Sequence, residues 1–155
     1  VAGRRRMTPD VNVLVAASRA DHPHHQPALR WLRQAMAQAA AQVGQAELGL
    51  LSTVVASFLR LVTHPRVFAV PTPAADAVAF VDALLGASGV RMLSVKDEWP
   101  RLRALCLAQQ LSGNDLPDAW IAASVLQTRE TLATFDRDFL RLLDPKHLVL
   151  LRPDP

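Results

Sequence analysis

Five aspartates and an asparagine stand in three short clusters. They are Asp10 with Asn12 in PDVNVLVAA, Asp115 with Asp118 in GNDLPDAWIAA, and Asp136 with Asp138 in TFDRDF. Carboxylates at such positions have two uses. Taken singly, each cluster suits a helix start: Asp10 and Asp136 can cap the helices that follow them, and Asp115 with Asp118 has the i, i+3 spacing of a capping box. Taken together, acids brought to one place repel one another, and a hard, oxygen-seeking divalent cation relieves that cost. The joint reading is a Mg²⁺ or Mn²⁺ site.

The elements that must carry these acids follow from the pattern along the chain. DVNVLVAAS reads as a helix after a short extended segment, and ALRWLRQAMAQAAAQ as an amphipathic helix ended near Gly44. ELGLLS is a short strand, TVVASFLRLVTH a helix stopped by Pro65, PAADAVAFVDALLGA a helix with Pro at its start, and GVRMLSV a strand. The helices EWPRLRALCLAQQ and LPDAWIAASVLQ precede the strand TLATF, a short helix RDFLRLL and a last strand HLVLL. Strands and helices alternate, and parallel strands need crossover connections. The expected class is therefore α/β, a parallel sheet with helices on both faces. In such folds the functional groove lies at the carboxyl ends of the strands. Asp136 follows the apolar TLATF directly, and Asp10 ends the first segment, so two strands deliver acids to one edge.

Composition bounds the rest. With 155 residues and no linker, charge run or repeat, the expectation is one domain spanning residues 1–155, with residues 1–6 a flexible basic N-terminus. No stretch approaches the roughly 20 uninterrupted apolar residues of a membrane span. The opening VAGRRRM runs into Pro9 and Asp10 without an apolar signal segment, and Cys106 has no disulfide partner, so a cytoplasmic, soluble protein is expected. The net charge of +3 hides a skew: fifteen Arg against two Lys, and eleven Asp against three Glu. Arg suits phosphate recognition, and Asp suits caps, loop ends and hard-cation sites.

Other chemistry is weaker. DHPHHQP invites a zinc site, but Cys106 is distant in sequence and Pro-flanked histidines near a helix start suit a solvated loop. Trp31, Trp99 and Trp120 fall at helical positions that suit core or dimer contacts, and Cys106 reads as a small buried residue. There is no Gly-rich phosphate loop and no Gly-x-Ser-x-Gly. A haloacid-dehalogenase-like enzyme needs a second aspartate where Asn12 stands. A phosphorylated receiver needs an early adjacent acid pair and a late active-site lysine, and only Lys96 and Lys146 exist.

The order DVNVLVAA, LSTVVASFLRLVTHPRVF, GNDLPDAWIAA, LATFDRDF resembles a PIN-domain ribonuclease of the VapC toxin type, from Met7 onward. The resemblance implies a PIN-like three-layer α/β/α fold and an endoribonuclease dependent on Mg²⁺ or Mn²⁺. It assigns metal binding to Asp10, Asp118 and Asp136, with Asp138 as an accessory acid and Asn12 and Thr134 as polar support. Arg60 and Arg137 become candidates to steer or clamp the RNA backbone. A cognate VapB-like antitoxin and a homodimer, the latter built through LRWLRQAM and DALLGASG, are the implied partners.

One departure stands out. Many members carry a glutamate in a pattern like V-x-x-E-F-L-R, where this chain has Ser57 in VVASFLRLV. Glu47 lies before the strand and is a poor replacement; Asp115 or Asp138 could fill the space. The competing expectation is a PIN-like module that holds RNA or a partner protein without cutting.

Overall fold

The computed structural model describes residues 4–155. A five-stranded, all-parallel sheet has the order β3-β2-β1-β4-β5, with β1 Arg5–Pro9, β2 Ala46–Leu51, β3 Val90–Leu93, β4 Thr131–Thr134 and β5 Leu148–Leu150. The helices are α1 Val11–Ser18, α2 His25–Ala41, α3 Ser52–Val62, α4 Ala74–Leu85, α5 Trp99–Gln109 and α6 Asp115–Thr128. Two 3-10 helices, Arg137–Arg141 and Pro145–His147, join β4 to β5.

Of the residues expected in a flexible tail, 1–3 lie outside the described residues. Arg5 and Arg6 do not belong to a tail. They open β1, in register with Ala46 and Glu47, and the Arg5 amide donates to Gln45 O at 2.7 Å. The physical reason is that β1 is the central strand: its first two residues are fixed by β2 on one side, and from Met7 onward it is paired with β4 as well.

The strand order creates the crevice. From β1 the chain steps one way to β2 and β3, then returns to place β4 and β5 on the other side of β1. Right-handed crossovers put α1–α4 on one face and α5–α6 on the other. The order reverses between β1 and β4, and such a switch point opens a groove beyond the strands' carboxyl ends. Pro9, which has no amide hydrogen to give, closes β1, and the Asp10 amide donates instead to Ala133 O at 2.8 Å.

The core forms where apolar stripes meet. On α3, Val54, Val55, Phe58 and Val62 recur every three or four residues and are buried, the pattern of a helix with one face on the sheet. In α1, Val13 to Ala17 are all buried because the helix packs against α2 and α3 as well as the strands. Helix α5 differs: none of its residues is buried, and it packs chiefly on α6. Gly89 turns the chain into β3 with φ +78°, and a Cβ there would come within 2.7 Å of Ala39 O, so both conformation and the approach of α2 require glycine.

Candidate metal centre

Asp10 begins α1 immediately after β1. Its Oδ1 accepts from the Val11 amide at 2.7 Å, so the capping role is real. Its Oδ2 accepts from the Thr134 hydroxyl at 2.6 Å, so the same carboxylate is also tied to the end of β4. Asp10 is only 5% exposed. Burial raises its pKa, the bonds from Thr134 and Val11 oppose that, and nearby Asp136 adds to the rise.

Asp136 behaves alike at the end of β4: its Oδ1 accepts from the Asp138 amide at 2.8 Å. Its own amide donates to Thr134 Oγ1 at 3.0 Å. Asn12 completes the lattice, donating from Nδ2 to Thr134 Oγ1 at 3.2 Å and accepting the Phe135 amide at 3.4 Å. Asn12 and Thr134 thus fix the two strand ends that bear Asp10 and Asp136.

Asp118 lies in the first turn of α6. Its pKa is pushed up to about 6, first by burial and then by repulsion from Asp10, Asp136, Asp138 and Asp115. A carboxyl raised by other carboxylates marks a place where negative charge has been gathered.

Asp10, Asp118 and Asp136 line one cavity of about 420 Å³, together with Asn12, Ser57 and Arg60. The remaining sequence candidates fall outside its wall. Asp138 is exposed, Arg137 is exposed on the 3-10 helix, and Asp115 is held by Arg141, whose Nη2 donates to it at 2.8 Å. Ser57 lies on the wall, and Asp115 and Asp138 are not among the residues that line it. Among the described residues, no three His, Cys, Asp or Glu side chains are drawn close enough to hold a metal ion unaided.

Sequence reasoning missed two features. The histidines of DHPHHQP do not all sit in solvent: His22 lines the acidic cavity, while His25 Nδ1 donates to Ala16 O at 2.8 Å. Burial, then the charge of His24, holds the His22 imidazole below its usual range. The loop is shaped by buried Arg19, which pairs with Asp21 at 2.8 Å, donates to Thr72 and Val70 O, and covers the Phe68 ring at 3.8 Å. The only signal in the sequence was the density of histidines between two helices.

The second feature is an apolar groove of about 630 Å³ lined by Trp99, Leu102, Cys106, Leu116 and Trp120, with Thr53 on its rim. Trp31 packs on the core, but Trp99 and Trp120 do not, being 64% and 47% exposed. Cys106 is only half-buried, since α5 packs on α6 and none of its described residues is buried. Ser57, Pro117 and Ile121 line both hollows, so the groove and the acidic cavity are continuous.

Residues 7–143 match the PIN domain family model. The chain is 36% identical over 146 residues to Ribonuclease VapC25 of Mycobacterium tuberculosis, covering 90% of this chain and 94% of that protein. It is 40% identical over 133 residues to VapC ribonuclease Mb2897 of Mycobacterium bovis, covering 85% and 86%. The structure of VapBC2 from Rickettsia felis, bound to a DNA fragment from their promoter, aligns with a TM-score of 0.62 at 17% identity, covering 95% of this chain and 99% of that one.

Proposed function

Because the chain belongs to the PIN-domain family and to its VapC ribonucleases, we propose that it is a divalent-metal-dependent endoribonuclease acting in the cytoplasm as the toxin of a toxin–antitoxin pair. The observation that carries this is the convergence of Asp10, Asp118 and Asp136, from three separate elements, on one cavity.

The donors fit Mg²⁺ or Mn²⁺. They are hard carboxylates, and Mg²⁺ commonly takes one or two of them and keeps several waters, so three direct protein ligands are not required. A bound cation supplies charge stabilisation at the scissile phosphate and a water of lowered pKa.

The chain's own residues do the rest. Thr134 and Asn12 hold the carboxylates of β1 and β4 in place, and the buried side of Asp10 excludes competing solvent. Arg60, on the cavity wall, supplies a guanidinium for a phosphate of the RNA backbone; Arg137, on the exposed 3-10 helix, extends that track. Asp138 contributes negative charge felt at Asp118.

A VapB-like antitoxin is the proposed partner. Its segment would lay apolar side chains along the Trp99–Trp120 groove and present an arginine to the carboxylates, a path supported by the continuity of the two hollows. A homodimer is also proposed, measured as twice the chain mass by light scattering at micromolar concentration.

The deciding experiment is cleavage of single-stranded RNA with and without chelator. Activity lost in EDTA and restored by Mg²⁺ or Mn²⁺ supports the nuclease. RNA binding without cleavage at any metal concentration supports instead the non-cutting module suggested by Ser57.

A further inference from the structure

Three rings stand beside the carboxylates without a part in the chemistry described so far. His22 lines the same cavity as Asp10, Asp118 and Asp136. Its ring meets His24 edge to face, with centroids 5.6 Å apart, and His24 lies 4.8 Å from Phe135 at a tilt of 33°. Phe135 directly precedes Asp136, and its amide is anchored on Asn12. The rings therefore form a row that begins in the cavity wall and ends at the strand terminus that presents a carboxylate. All three are half-buried, so each is held by the protein and each keeps an accessible part.

Hydrogen bonding fixes what this row can offer. The His24 amide donates to His22 Nδ1 at 3.0 Å. A nitrogen that accepts an amide hydrogen carries none of its own, so in the neutral ring the hydrogen sits on Nε2. The loop is locked from behind by Arg19 on Asp21 and by His25 on Ala16 O. Among the described residues no three His, Cys, Asp or Glu side chains stand close enough to hold a metal ion, so the histidines are not arranged as a ligand set for zinc. What remains is an aromatic surface next to a cavity of acids, with the His22 Nε2–H as a donor of fixed direction.

We propose that this row is a nucleotide subsite: the base of a nucleotide flanking the scissile phosphate unstacks, packs on the His22–His24–Phe135 rings, and receives a hydrogen bond from His22 Nε2 on an acceptor edge. The assignment rests on the ribonuclease reading. Single-stranded RNA is bound in this way elsewhere, by splayed bases on aromatic and histidine side chains. The chemistry also suits the place. A phosphate approaching carboxylates needs a cation, whereas a base laid on aromatic rings gains contact without one. Stacking alone tolerates any base; the oriented His22 donor favours those with an acceptor on the exposed edge.

The test uses His24→Leu and His22→Ala in the full chain, with short RNA substrates in which one position at a time is abasic. In the unaltered protein, one abasic position beside the cleaved bond should raise KM about tenfold. His24→Leu should raise KM for intact RNA by a similar factor, more than it lowers kcat, and should feel no further penalty at that position. His22→Ala should flatten base preference there. An abasic penalty equal in both proteins overturns the subsite, as does a variant that melts earlier yet keeps the original KM and base preference. Should the unaltered protein cut no RNA, the ribonuclease reading fails by itself. Binding of the same RNAs to Asp118→Asn, followed by fluorescence anisotropy, then decides the subsite: affinity lost about tenfold with His24→Leu supports it, and equal affinity or no binding overturns it.

Discussion

Thr134 donates its hydroxyl hydrogen to Asp10 across 2.6 Å, joining positions 124 residues apart in sequence. It is a short, charge-assisted bond to a buried carboxylate, and such bonds contribute about 1.5–3 kcal/mol. Thr134→Val keeps the shape and removes the donor. Burial would then act on Asp10 with less opposition, and its ionised form would be harder to maintain. We expect Mg²⁺ affinity by calorimetry to fall about tenfold, with Thr134→Ser close to the unaltered protein. Equal affinity in the valine variant would show that the bond serves only the fold.

Asp118→Asn separates a metal site from a set of helix caps. The native pKa, about 6, lies above the ordinary carboxylate value of 3.8, so the native state holds this proton longer than the unfolded chain does. The associated stability is complete below the unfolded pKa and is lost as pH rises through about 6. Asparagine removes that loss. At pH 7.5 the metal-free variant should melt no lower than the unaltered protein, while cleavage falls to background. Full cleavage by this variant would remove the metal site.

The same shift makes metal binding pH-dependent. Cation and proton compete for Asp118, so affinity should rise between pH 5 and pH 7.5 by about tenfold. Calorimetric titration with Mg²⁺ at both values measures it. A flat profile would mean that Asp118 is not a ligand.

Ser57 faces the acidic cavity, where neither Asp115 nor Asp138 stands. Ser57→Glu adds a fourth carboxylate on that wall. We expect tighter Mg²⁺ binding, by a few-fold to about tenfold, and a metal-free protein that is slightly less stable at neutral pH. Weaker binding would point to crowding instead of completion.

A different acid sets the pH response of stability. Glu130 is 1% exposed at the start of the β4 segment, and its Oε2 has no hydrogen-bond partner among the described residues. Burial pushes its pKa to about 7, against the pull of Arg6 and Arg91. The native state again holds the proton longer, so this group's contribution is full below about 4.5 and is lost as pH rises through about 7. Glu130→Gln should raise the melting temperature at pH 8 by about 3 °C and change little at pH 5. A variant less stable at pH 8 would show that the ionised form is needed by Arg6.

Much of this was legible in the residues. The alternation of apolar runs and helical periods placed all five strands, and a carboxylate following TLATF or preceding VNVLVAA announces itself because an acid beside a buried run needs a reason. What escaped the sequence depends on distant partners. His22 enters the cavity wall because Arg19 is held by Thr72 and Val70, contacts 53 and 51 residues away. Trp99 and Trp120 carry the composition of a core, but no further element among the described residues covers α5, and local patterning does not say where a layer stops. Glu130 reads as an ordinary loop acid until the sheet closes over it.

The central position of β1 has a temporal consequence. Asp10 leaves the ribosome's active centre well before the hydroxyl that steadies it, which arrives 124 residues later on the strand that must slot in beside β1. At roughly 5–20 residues per second, the growing chain spends on the order of ten seconds with Asp10 made and the other two carboxylates, Asp118 and Asp136, not yet synthesised. The carboxylate set, and RNA cleavage with it, is thereby incomplete until Asp136 has been made.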